Sequence, residues 1–150
     1  MKLAEALILR SDLQKRMEQL RERLTASALV QEGEQPPENP EELLQELSRI
    51  SNELQNLIGR INLTNACEQQ NGSTLTELLA RREVLTQKIS ILRSFLDAAS
   101  RTVMRGSRSE VKIRSTVSVG ELRRQADDLA KELRLLDTSI QGANWLIELR

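Results

Sequence analysis

The chain has 150 residues with 22 basic and 22 acidic side chains, so it carries no net charge and offers no whole-chain electrostatic case for nucleic-acid binding. Histidine is absent and Cys67 is the single cysteine, which excludes a His-ligated metal, a His general base, Ser-His and Cys-His pairs, and an internal disulfide. Hydrophobic residues make up 39%, charged residues 29% and aromatics 1%, a balance that suits long helices around an aliphatic core.

The first predicted helix runs from about residue 2 to 29, with Leu3, Ala6, Arg10, Leu13, Met17, Leu20 and Leu24 facing inward. Its opening, MKLAEALILRSDLQKR, has a short apolar run but no small-residue cleavage site, and reads as a helix rather than a signal peptide. Gln31 to Pro40, with Pro36 and Pro37 adjacent, breaks the pattern and reads as a loop. Asn39 is the expected N-cap and Pro40 the first residue of helix two, which extends to about Glu68 along a stripe of Leu43, Leu47, Ile50, Leu54, Leu57 and Ile61.

Gln69 to Gly72 is a short connection, and Ser73, Thr76 and Glu77 mark a new N-terminus. Helix three is expected to reach about Arg105, with Leu75, Leu78, Arg82, Leu85, Ile89, Leu92, Leu96, Ala99 and Val103 inward. In residues 109–117, Val111, Ile113 and Val117 alternate with Lys112, Arg114 and Thr116 at strand period. No second strand is visible, so this stretch is expected as an extended connection; pairing with its own copy across a dimer axis is the alternative. Ser118 and Glu121 form a capping box that opens helix four, whose stripe is Leu122, Ala126, Leu129, Leu133, Leu136, Ile140, Ala143 and Ile147.

Four long helices with short or moderate connections predict an all-α fold: one antiparallel up-down four-helix bundle spanning residues 1–150. No stretch approaches the 18 apolar residues of a membrane span, and the expected protein is soluble and cytoplasmic, with no nucleic-acid or membrane partner. Residues 32–53 carry seven acidic side chains and one basic for a net of −6, while residues 101–124 carry seven basic and two acidic for a net of +5. In the up-down order these segments lie at the same end, where mutual neutralisation accounts for them better than an outside anion.

At the other end the same order gathers polar side chains. Arg10 and Arg82 occupy seam positions that the heptads would give to leucine, near Asn62, Asn65 and Asn144, with Glu68 as the obvious counter-charge. Such a layer either fixes helix register or clamps a small anion or carboxylate between two guanidinium groups. No cofactor is expected, and with no histidine any proton transfer there would fall to Glu68. Ile8 and Trp145 fall on outer faces at this same end and are the expected interface of a homo-oligomer. Cys67 has no activating partner in view and reads as a small hydrophobe.

The strings LAEALILRSDLQKRMEQLRERL, INLTN at 61–65, SRSEVKIRSTV at 107–117 and IQGANW at 140–145, taken in order, resemble the septicolysin-like family. That resemblance implies a small bacterial helical protein and brings no established activity; the family name implies a cytolysin. Its recurring strings include Arg10, Asn62, Asn65, Asn144 and Trp145. The leading expectation is a non-enzymatic, self-associating helical module. An anion-binding protein is the alternative and a membrane-active toxin the last.

Overall fold

A computed structural model describes residues 1–101 and 112–150. Within them lie four helices: α1 (Leu3–Ala26), α2 (Pro40–Cys67), α3 (Leu75–Ser100) and α4 (Val119–Leu146). Between α2 and α3 sits a two-stranded antiparallel sheet, β1 (Gln69–Gln70) and β2 (Ser73–Thr74). The helices start where the local chemistry favours them. Asn39, in extended conformation, accepts the Glu41 amide on its side chain at 3.0 Å, and Pro40 fills the first helical position of α2, where the missing N–H costs nothing. The Glu121 amide lies 3.5 Å from Ser118 Oγ at the start of α4.

The connection after α2 is more ordered than a plain loop. Gln69 pairs with Thr74 and Gln70 with Ser73, leaving Asn71 and Gly72 as a two-residue turn with φ of 54° and 85°. Both angles lie in the left-handed region that a type I′ turn requires and that asparagine and glycine tolerate best. The Leu75 amide donates to the Glu68 carbonyl at 3.2 Å, continuing the ladder and fixing the turn into α3.

Contacts divide the chain into two compact units, Met1–Leu75 with Gly142–Arg150, and Thr76–Gln141. In the first, α1 and α2 pack antiparallel. Leu3, Ala6, Leu13 and Leu20 of α1 and Leu43, Ile50, Leu57 and Ile61 of α2 are buried, each large side chain contributing about 2 kcal/mol of transfer free energy. Arg23 straps the loop end of this pair, meeting Glu38 at 2.9 Å and Glu46 at 3.6 Å. In the second unit, Leu85 and Ile89 of α3 and Ala126, Leu136 and Ile140 of α4 are the buried apolar residues.

Several boundaries differ from the expected ones. Helix α1 ends at Ala26, where the Ser27 amide closes the last turn on the Arg23 carbonyl at 3.1 Å; Leu29, 89% exposed, has nothing to pack on. Helix α4 stops at Leu146 because residues 147–149 lie as an extended segment against Met1–Leu3. The small sheet qualifies the all-α expectation. Of the extended segment at 109–117, Ser109, Glu110 and Val111 lie outside the described residues, as do Val103 and Arg105 of the expected third helix; Lys112 to Ser115 form no ladder.

Candidate functional site

The densest polar arrangement in the first unit is built where its sequence-distant ends meet. The Leu3 amide donates to the Ile147 carbonyl and the Leu149 amide to the Met1 carbonyl, both at 2.9 Å, so the two segments run as a minimal antiparallel ladder. Glu148 receives the Met1 ammonium at 3.1 Å and Lys2 Nζ at 2.7 Å. Lys2 also reaches the Leu146 carbonyl, the end of α4, at 3.1 Å, a cation at the negative pole of that helix. The Lys2 hydrogen bond first, and then the ammonium, hold the Glu148 carboxyl below the usual carboxylate range.

One residue further, the Arg150 amide donates to Thr64 Oγ1 at 3.0 Å while Thr64 donates to the Arg60 carbonyl at 2.8 Å. Arg60 Nε closes the loop on the Arg150 carbonyl at 2.6 Å. Thr64 is fully buried, so its hydroxyl is committed to these two bonds. Arg150 Nε meets Glu68 at 2.8 Å, and that bond is the main reason the guanidinium is raised above its ordinary value. Leu3, Ala4, Ala6, Leu57, Ile61, Leu75, Ala143 and Leu149 are buried apolar residues of these segments.

The expected site residues fall as follows. Glu68 is engaged by Arg150 rather than by the seam arginines. Arg10 is half-buried in the first unit, which also holds Asn62 (exposed), Asn65 (half-buried) and Asn144 (buried). Arg82 belongs to the second unit, where its Nη1 lies 3.7 Å from Asp137 and its side chain keeps 40% of its exposure. It therefore has its own counter-charge and much of its hydration, and does not need a ligand to be satisfied. An open groove of about 660 Å3 runs past it along α3, and that groove also contains Glu83, a carboxylate that opposes anion binding.

Ile8 and Trp145, the expected interface pair, share the first unit and are each 56% exposed, with Leu146 beside Trp145 at 73%. Cys67 is exposed, not packed as a small hydrophobe. Thr64, Glu148, Arg150 and Lys2 were not among the expected site residues. Thr64 carried a signal, since it continues the Leu57–Ile61 seam at the next helical step. Lys2 and Glu148 carried none: their partnership depends on a pairing across 146 positions of chain.

Among the described residues, no helix is long and apolar enough to cross a membrane, and no group of three or more Cys, Asp or Glu is arranged to hold a metal ion. The chain is similar to a solved structure, that of a functionally unknown conserved protein from Corynebacterium diphtheriae, at 41% identity and a TM-score of 0.89, covering 100% of this chain and 99% of that one. No curated protein matches. The septicolysin-like resemblance is overturned by the family match, and the cytolysin reading goes with it; the longest of its strings, LAEALILRSDLQKRMEQLRERL, is leucine-rich amphipathic helix, a pattern that many unrelated helical proteins share. The matching family model spans residues 10–149, and the chain belongs to that family, DUF6847, a family of unknown function.

Proposed function

We propose that this protein is a non-enzymatic interaction module that works by associating with copies of itself. The observation that supports this reading is the pair Ile8 and Trp145, two large apolar side chains held on helices of one unit with more than half of each in water. Solvent-facing apolar side chains gathered on ordered elements mark association surfaces, and tryptophan is enriched at their energetic centres. The ionisable groups point the same way. The carboxyls held low, Glu38 and Glu148, owe their shifts to surface ion pairs with Arg23 and with Lys2, which suits structural fastening rather than proton transfer.

Light scattering at micromolar concentrations tests the reading, with Trp145, the sole tryptophan, as an internal reporter. The expected result is a mass above that of one chain, with emission that shifts to the red on dilution as Trp145 returns to water. A single-chain mass at all concentrations, with red-shifted emission throughout, refutes self-association.

A further inference from the structure

Helix α3 has two apolar faces and uses only one of them inward. Leu85, Ile89, Leu92 and Leu96 form the inner stripe, of which Leu85 and Ile89 are buried. A second stripe follows Val84, Lys88, Ile91 and Phe95 at spacings of four, three and four, and its apolar members are 64%, 69% and 44% exposed. Helix α4 widens this face. Arg81 Nη2 meets Glu132 at 2.6 Å, and Leu135, one turn beyond Glu132, is 64% exposed beside them. The helices run antiparallel: Phe95, Ala98 and Ala99 near the end of α3 share a cleft with Ile113 to Thr116, which lead into α4. One turn onward along α4 is therefore one turn back along α3, which sets Leu135 level with the first turns of α3, close to Ala80.

This face is complementary to itself. Val84 with Ile91, Ala80 with Phe95, and Gln87 with Lys88 all share one midpoint, between positions 87 and 88. Laid against an identical helix in the antiparallel sense, the largest side chain, Phe95, meets the smallest, Ala80, with Leu135 as a wall, and β-branched Val84 meets Ile91. At the axis each Lys88 faces the neutral amide of Gln87, whose oxygen accepts a hydrogen bond from the ammonium. Large-against-small at mirrored positions is the condition for an isologous contact. The extent is also sufficient. From Ala80 to Phe95 the strip is ~24 Å long at ~1.5 Å per residue, and with ~20 Å of width across two helices it gives ~480 Å2 per partner, about 1,000 Å2 in all, the lower bound for a specific interface.

We infer that the occupant of this face is the α3 of a second copy, in a two-fold antiparallel pair centred between Gln87 and Lys88. The inference rests on the self-association reading and places a seam on the second unit, separate from Ile8 and Trp145.

The experiment therefore starts from a double variant, Ile8→Ser with Trp145→Ser, which removes the first surface. A dimer should persist in this background, and adding Phe95→Glu should raise its dissociation constant at least ~30-fold, the loss expected when a charge replaces a buried aromatic anchor. With Cys67→Ser also present, Lys88→Cys should cross-link under oxidation, whereas Arg93→Cys, on the far side of α3, should not. Circular dichroism confirms that each exposed substitution leaves the helices intact. A double variant that is monomeric while the unsubstituted protein associates overturns the α3 seam and leaves the self-association reading standing. A Phe95→Glu variant that still dimerises, or equal cross-linking at Arg93→Cys, overturns the seam as well. A monomeric unsubstituted protein overturns both.

Discussion

Leu149 gives a direct measure of how firmly the segment after α4 is built into the first unit. Its side chain is 8% exposed, while Leu146, three residues earlier, is 73% exposed. Leu149→Ala removes the buried part of a leucine and leaves a hole in the first unit. Such substitutions cost ~2–5 kcal/mol in a closed core, and a site on an extended segment outside the helices relaxes toward the low figure, ~2–3 kcal/mol. For a chain of 150 residues that is a fall in Tm of ~5–10 °C. Leu146→Ala, on a side chain already in water, should stay within ~0.5 kcal/mol. Thermal melts followed by circular dichroism compare the two, and hydrogen exchange locates the effect: the Leu3 amide, bonded to the Ile147 carbonyl at 2.9 Å, should lose protection in Leu149→Ala alone. Equal melting shifts for the two variants, or an unchanged Leu3 amide in Leu149→Ala, refutes the packing of this segment.

Two further outcomes follow from the same region. Thr64→Val keeps the shape of a fully buried side chain but deletes the acceptor for the Arg150 amide and the donor to the Arg60 carbonyl, and should cost ~1–2 kcal/mol by denaturant titration. For pH, the Glu148 and Glu38 carboxyls sit below their unfolded value, so their contribution is complete above about pH 4.3 and is lost as pH falls through the lower folded values. The Tm should accordingly hold level from neutral pH down to about 5 and decline below it, less steeply in Glu148→Gln; with no histidine to titrate, a decline already between pH 7 and 5 contradicts this account.

The helical part of the fold was legible because apolar period and capping chemistry are local. Asn39 with Pro40 marked the start of α2 to the residue, and the stripe Leu43, Ile50, Leu57, Ile61 is the buried one. The hairpin was legible too and was passed over: Asn71-Gly72 is the strongest two-residue turn signal there is, yet strands of two residues are too short to show alternation. The arginine layer drew on a pattern that does not fix where a long side chain ends. Heptad position alone assigned Arg82 to a seam, but a long side chain escapes its nominal position, and Arg82 reaches out to Asp137. Glu68, expected as the counter-charge of the seam arginines, is engaged by Arg150, whose distance along the chain no local pattern reveals.

The short ladder joining Met1–Leu3 to Ile147–Leu149 also bears on the order in which the molecule assembles. Closing a loop of about 146 residues demands more chain entropy than any hairpin contact within α1 and α2, so the helical pair can form first and the ladder last. Until that final closure, Leu3 lacks the cover that the returning segment provides. A closure formed last ends with the shielding of an apolar side chain, and any delay there prolongs the interval in which off-pathway clumping competes with the native state.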